Sequence, residues 1–220
     1  MKMASFAQQN VTNAVAGLTE RNTDLCNQVI ADDDEVDQLE KRVDLEGLQL
    51  IMKFSPVATD LRRILTTMKI GQQLERVSDE AVSIARRARK MNSHPPLPEA
   101  HLIQSVYDLA VAMLRDGVMA FNTGNLKLAL ALEDRDEFLD ETYAETARRM
   151  TKRLEEDVGN IDDYVDLLTV LRALERVGDH AVNIAEDVVY AETAVDIRHG
   201  GERPTITNGE GTPDAANPSP

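Results

Sequence analysis

The sequence contains one twelve-residue stretch twice, with a spacing of 100 residues between the copies. Residues 74–85 read LERVSDEAVSIA and residues 174–185 read LERVGDHAVNIA, so nine of the twelve positions are identical. An internal repeat of this kind predicts a fold assembled from similar units. Both copies keep a Glu and an Asp four residues apart, a spacing that places two carboxylates on one face of a helix.

Hydrophobic periodicity along the chain predicts six helices and no strands. In the second predicted helix, for example, valines or leucines recur every seven residues, as amphipathic helices require. Long helices joined by short turns favour antiparallel neighbours. The predicted helices cover approximately residues 1–20, 24–54, 57–91, 99–121, 126–156 and 161–193.

Two helix starts carry residues that favour caps. Thr23 is the predicted N-cap of the second helix, because a Thr side chain there accepts hydrogen bonds from the first backbone amides. Ser55 is the predicted cap of the third helix, with Pro56 in the first turn, where its missing amide hydrogen costs nothing.

Residues 92–98 contain three prolines and therefore predict a linker rather than a continuous helix. The linker divides the chain into a first three-helix unit, 1–91, and a second, 99–193. Residues 199–220 contain Gly, Pro, Asn and Thr with almost nothing apolar, which predicts a disordered tail. The expected fold is all-α: two tandem, similar three-helix bundles with six antiparallel helices related by a pseudo-two-fold repeat.

The composition excludes several classes of function. Lys and Arg number 24 and Asp and Glu 39, and the resulting charge of −15 argues against nucleic-acid binding, which needs a basic face. Cys26 is the only cysteine, so we expect a buried structural thiol and no disulfide within the chain. The sequence has no apolar run long enough to cross a membrane and no signal peptide, which predicts a cytoplasmic protein.

Four carboxylates in each unit are expected to lie at one level. In an antiparallel hairpin, residues at one level are equidistant from the turn. The midpoints (37 + 75)/2 and (33 + 79)/2 both equal 56, and (140 + 175)/2 and (136 + 179)/2 both equal 157.5, which fall in the two predicted turns. The candidate metal ligands are therefore Asp33, Asp37, Glu75 and Asp79 in the first unit, and Asp136, Asp140, Glu175 and Asp179 in the second.

A divalent cation is one solution to the repulsion within such a quartet, since oxygen ligands suit Mg, Mn and Fe. The alternative is a solvated acidic face with ordinary ion pairs. His180 is a poor fellow ligand, because it lies about 100° from Asp179 and about 140° from Glu175 around the helix axis. Arg76 and Arg176 also point away from the glutamates, so we expect them to pair elsewhere.

Three motifs together resemble the PhoU family. They are the Glu-Arg-Val-[Gly/Ser]-Asp pattern in the third helix of each unit, residues 55–63 (SPVATDLRR), and the Asp-x-x-x-Asp segments of the second and fifth helices. The likeness covers residues 1–193. It implies a pair of similar three-helix bundles and a metal cofactor, divalent or multinuclear (Fe, Mn, Mg or Zn), on the eight carboxylates named above.

The resemblance also implies a function. Family members are negative regulators of phosphate uptake and phosphate-starvation signalling, in contact with the ATPase of a phosphate ABC transporter and a membrane-bound, phosphate-sensing histidine kinase. It implies a homodimer that is cytoplasmic and peripheral at the inner membrane through its partners. An enzyme is not expected, because the sequence has no nucleophile–base set and no Gly-rich phosphate loop.

Two other classes of protein stay open. A ferritin-like protein with a carboxylate-bridged pair of metal ions would need Glu-x-x-His on two helices, and this sequence contains no such motif. A metal-free helical scaffold would use the same helices for protein contacts alone.

Overall fold

The computed structural model describes residues 1–156, 158–198 and Pro204. Within these residues the chain forms six α-helices and no strand, which confirms the predicted all-α fold of two three-helix bundles. None of the described helices has a stretch long and apolar enough to cross a lipid bilayer. The helices are α1 (Lys2–Thr19), α2 (Thr23–Phe54), α3 (Ala58–Met91), α4 (Gln104–Thr123), α5 (Leu126–Glu156) and α6 (Ile161–Thr193).

The described residues also form two short 3-10 helices, at Pro98–Ile103 and Val158–Asn160. The fourth helix, predicted from residue 99, therefore begins as a 3-10 turn and becomes an α-helix only at Gln104. The predicted tail, residues 199–220, lies outside the described residues apart from Pro204. The division into units 1–91 and 99–193, separated by residues 92–98, stays a prediction.

Both predicted helix caps are wrong by one or two residues. Asn22 caps α2, because its side-chain oxygen accepts hydrogen bonds from the amides of Asp24 and Leu25, and Thr23 is already helical. Ser55 ends α2 with φ 45°, and the N-cap of α3 is Val57, which makes no side-chain hydrogen bond. The Pro56 ring disfavours the right-handed helical region for the residue before it, so α2 must stop at Ser55.

The two bundles pack through α3 and α6, which run antiparallel along a shared seam. Ion pairs that cross the seam include Arg63 with Glu192 at 3.3 Å, Lys69 with Asp187 at 2.9 Å, Glu80 with Arg176 at 3.2 Å, and Lys90 with Asp166 at 2.6 Å. The residue numbers of each pair add up to 255 or 256. Since the repeat is offset by 100, the pseudo-two-fold axis passes near the level of residues 78 and 178, and both copies of the repeated stretch lie at the middle of the seam.

Buried apolar side chains from all six α-helices form one continuous core. Cys26 belongs to it, and burial raises the pKa of its thiol, as expected for a structural cysteine. The two bundles fill the core differently at one level. Gly178 lies against the buried Leu139 in the second bundle, whereas the corresponding level of the first has the smaller Val36 and the larger Ser78.

The far ends of the two long hairpins are also different. The α2–α3 end, which we call the apolar tip, exposes seven large apolar side chains: Leu45, Leu48, Leu50, Met52, Phe54, Val57 and Leu65. The equivalent end of the α5–α6 hairpin packs against the first 3-10 helix. There Glu99 contacts Arg153 at 3.3 Å and accepts a hydrogen bond from the Tyr164 hydroxyl at 2.9 Å.

The complementary sizes at residues 139 and 178 give a test of the packing. A Cβ added at Gly178 would overlap Leu139 Cδ2, so Gly178→Val is expected to cost roughly 1–3 kcal/mol of unfolding free energy. Combining Gly178→Ser with Leu139→Val introduces the residue types that the first bundle has at the corresponding positions, Ser78 and Val36. In urea denaturation the double variant should be more stable than the sum of the single effects predicts; strict additivity would contradict this packing.

Candidate functional site

The first carboxylate cluster lies between α2 and α3, at the level that the hairpin geometry predicts. The pKa of Asp33 is raised by burial and then by the charges of Asp79 and Asp37. Burial is also the largest cause that raises the pKa of Glu75 to about 7, followed by the charges of Asp79, Glu40 and Asp37. The four predicted residues of the first unit therefore feel one another across the two helices.

The second cluster repeats this arrangement between α5 and α6. Burial and then the charges of Asp140, Asp179 and Glu175 raise the pKa of Asp136 to about 6. The pKa values of Glu175 and Asp179 are also raised, by burial first and then by neighbouring carboxylates. Asp136 has a buried Oδ1 atom for which no hydrogen-bond partner exists among the described residues.

The structure thus brings the eight predicted residues together as two quartets. Their side chains, as placed, do not surround a common point: among the described residues, no group of three or more His, Cys, Asp or Glu is arranged to hold a metal ion. The quartets can be recognised by their mutual electrostatic effects, and their role as metal ligands stays a prediction.

The chemistry of the donors nevertheless fits a hard divalent cation. All four side chains of each quartet offer carboxylate oxygens, which Mg, Mn and Fe accept as ligands. The unpartnered Oδ1 of Asp136 has an acceptor position free for such a contact. A cation bound to either quartet would supply positive charge where burial and like charges have raised the carboxyl pKa values.

Two acidic residues near the quartets escaped the sequence prediction. The charge of Glu40 contributes to the raised pKa of Glu75, and the charge of Glu133 contributes to that of Asp136. Each lies three residues from a predicted ligand on the same helix, Glu40 after Asp37 and Glu133 before Asp136. Neighbours at that spacing share a helix face, so the i,i+3 relation was the signal that could have identified them.

His180 and Arg176, which lie next to the second quartet, make hydrogen bonds across the seam. His180 Nδ1 donates to Gln73 Oε1 at 2.9 Å, across the seam, and Arg176 donates to Glu80 at 3.2 Å. Burial and then the charges of Arg76 and Arg176 lower the pKa of His180 to about 4, so the ring is neutral at pH 7. This hydrogen bond agrees with the expectation that His180 is a poor fellow ligand.

The raised pKa values predict an unusual pH dependence of stability in metal-free buffer. Glu75 and Asp136 hold a proton in the folded state up to about pH 7 and about pH 6, above their ordinary values of 4.5 and 3.8. Between the ordinary and the raised pKa of each group, the folded state binds more protons than the unfolded state. The free energy of unfolding therefore falls as pH rises through this range. We expect the melting temperature to decrease from about pH 4 to about pH 7. The free energy of unfolding from urea denaturation should decrease over the same range.

A matched pair of variants tests the origin of this trend. Glu75→Gln with Asp136→Asn should flatten the pH profile, because both groups stop titrating. Glu141→Gln with Glu145→Gln removes the same charge from exposed positions and should leave the profile unchanged. A Glu75/Asp136 variant that keeps the full wild-type slope would show that other groups cause it.

Comparison with known proteins agrees with the fold and the repeat. Residues 1–88 and 103–188 match the family model described as the PhoU domain. The phosphate-specific transport system accessory protein PhoU homolog of Pseudomonas putida is 32% identical over 213 residues, which cover 96% of this chain and 83% of that protein. The homolog from Pseudomonas aeruginosa is 32% identical over 202 residues, covering 91% and 84%.

Solved structures show the same arrangement of helices. The crystal structure of PhoU from Pseudomonas aeruginosa matches with a TM-score of 0.83 at 31% identity, covering 86% of this chain and 91% of that one. The phosphate transport system regulatory protein PhoU from Streptococcus pneumoniae has a TM-score of 0.81 at 23% identity, a likeness of fold alone. Since the family model matches both halves of the sequence and the relatives match along most of it, the chain belongs to the PhoU family.

Proposed function

We propose that the protein is an accessory protein of a phosphate-specific transport system and regulates phosphate uptake. Family membership and the names of the relatives support this role. The observation that carries the proposal is the match of the PhoU domain model to both halves of the chain, at residues 1–88 and 103–188.

In finer detail, the proposed protein is a metal-binding negative regulator. It damps phosphate uptake and phosphate-starvation signalling through contacts with the transporter ATPase and a membrane-bound, phosphate-sensing histidine kinase. We further propose a homodimer on the cytoplasmic side of the inner membrane. The twofold repeat supports this proposal, because two similar bundles offer two similar surfaces, either for two partners or for two copies of one.

The proposed ligands would link the long helices of each hairpin. Asp33 and Asp37 would hold a cation from α2, and Glu75 and Asp79 would hold it from α3; the second quartet would do the same for α5 and α6. A bound cation supplies charge neutralisation. The protein's own contribution is to fix the carboxylates at one level, so that their repulsion is relieved only when the two helices keep this register.

Two alternatives have a specific basis. A ferritin-like protein with bridged metal ions would also use carboxylates on facing helices, but the absence of Glu-x-x-His from the sequence disfavours it. A metal-free scaffold is favoured by one observation, that no group of three potential ligands among the described side chains is arranged around an ion. Metal analysis of the purified protein separates the scaffold from the other two classes.

Divalent metal is expected to raise the melting temperature. For one site, a free concentration of 100 times the dissociation constant stabilises the folded state by about 2.7 kcal/mol. Glu75→Gln with Asp79→Asn should abolish metal binding to the first bundle only, and Glu175→Gln with Asp179→Asn to the second only. Elemental analysis and thermal unfolding after metal addition measure both effects.

The control is the Glu141→Gln and Glu145→Gln variant, which loses two exposed charges at the same spacing and should bind metal like the wild type. If the Glu75/Asp79 variant bound as much metal as the wild type, the assignment of the first quartet would be wrong. Equal losses in the control would mean that the wild type only attracts a diffuse cloud of cations.

The regulatory role makes a prediction in cells. Deleting the gene should raise the expression of phosphate-starvation genes even when phosphate is plentiful, and the wild-type gene should restore repression. Starvation genes that stay silent in the deletion strain would contradict the proposal. The purified protein should show no oxidase or phosphatase turnover; a metal-dependent turnover that Glu175→Gln abolishes would instead place it among the enzymes.

A further inference from the structure

A basic cleft lies at the end of the second bundle, away from both carboxylate quartets. It has a volume of about 320 Å³ and separates the first 3-10 helix from the last turns of α5. Leu102 gives it an apolar wall, and His101 is fixed beside it because its Nδ1 donates to the Pro98 carbonyl at 2.6 Å. The residues that line the basic cleft are Glu99, His101, Leu102, Arg149, Lys152 and Arg153.

The cations of the basic cleft outnumber its anions. Lys152 and Arg153 follow Arg149 by three and four residues, so each of them is a neighbour of Arg149 on the surface of α5. Among the described residues, Glu99 is the only carboxylate that lines the cleft. It is already engaged by Arg153 at 3.3 Å and by the Tyr164 hydroxyl at 2.9 Å. Among the described residues, no hydrogen bond or ion pair joins Arg149 or Lys152 to a partner.

Basic residues often end a helix because they complement its dipole, so charge alone would not distinguish this site. The internal repeat supplies a comparison. Aligning Asp136 with Asp33 gives an offset of 103 between α5 and α2, which pairs the three basic residues with Glu46, Gln49 and Leu50. The same position in the first bundle carries no cation, so the fold itself does not require these charges.

We propose that the basic cleft binds a small phosphate-bearing anion. An Arg guanidinium can donate two parallel hydrogen bonds to phosphate oxygens, and a Lys ammonium adds a point charge, so Arg149 and Lys152 form a suitable pair. The volume is near the lower end of the ~300–1,000 Å³ that is usual for ligand sites, which suits a phosphate monoester or a short polyphosphate. The site lies outside the quartets, and this proposal does not depend on the proposed metal binding.

The surrounding charge sets a condition on this binding. The chain carries a net charge of −15, so its overall field repels anions, and attraction must come from the side chains within the basic cleft. Binding should therefore be local and should weaken as salt screens the contacts with Arg149 and Lys152.

Titration calorimetry of the full chain, freed of metal by chelation and dialysis, tests the proposal. Separate arms use inorganic phosphate, pyrophosphate, tripolyphosphate and AMP at low and high ionic strength. We expect saturable binding of at least one of them, and Arg149→Gln with Lys152→Gln should weaken it by about tenfold or more. The matched control, Lys127→Gln with Arg148→Gln, removes two exposed cations of α5 outside the cleft and should keep the affinity within about twofold of the wild type.

The four arms also separate the sources of the phosphoryl group. A preference for inorganic phosphate would indicate the free ion, whereas a preference for AMP or the polyphosphates would indicate a phosphoryl group on a larger molecule; both support the proposal. It is overturned if none of the four compounds shows saturable binding, or if the control variant loses as much affinity as the cleft variant. A Glu-rich peptide that binds more tightly than every phosphate compound would also overturn it, by assigning the basic cleft to an acidic protein segment. Thermal unfolding of both variants verifies that they are folded.

Discussion

The antiparallel packing of α3 against α6 is the contact on which the rest of the structure depends. Each of these helices belongs to one bundle and carries one copy of the repeated stretch, so their register decides where both copies lie. The register is held by buried apolar side chains and by polar contacts such as the Thr66 hydroxyl, which donates to the Asp187 carbonyl at 3.3 Å. A shift of one helical turn along the seam would separate the two quartets from the middle level and break each cross-seam ion pair.

The two quartets hold like charges close together in partly buried positions. Partial burial disfavours the charged form of each carboxyl group, and its neighbours disfavour it further. The helices cannot relieve the repulsion by moving apart, because their opposite faces are committed to the core. This combination of a rigid scaffold and unrelieved charge makes each hairpin sensitive to protons and to cations at the same place, and the two should compete, since ligand carboxylates must be deprotonated.

The sequence was sufficient to predict the architecture and the meeting of the quartets. Helical periodicity and the short turns set the levels, so the pairing of Asp33 with Asp79 and of Asp136 with Asp179 followed from arithmetic. The two helix caps were predicted wrongly because neighbouring residues compete for the cap position. Asn22, not Thr23, is the N-cap of α2, because Asn is a better capping residue and lies one position earlier. Pro56 ends α2 at Ser55, so α3 begins beyond Ser55. The hydrogen bond between His180 and Gln73 could not be predicted because it depends on how the two bundles dock. The basic cleft could not be predicted because it depends on how the first 3-10 helix packs beside α5.

The length of α3 has a consequence for any partner. The helix has 34 residues, so it spans roughly 50 Å at ~1.5 Å per residue. The apolar tip lies at its beginning and the basic cleft lies beyond its end, with the quartets about halfway. Two partners, one bound at the apolar tip and one at the basic cleft, would therefore be separated by about the length of α3 and would not contact each other directly. Because the quartets lie near the midpoint of α3, a change in their charge is about equally far from both ends. Such a change could therefore affect contacts at either end.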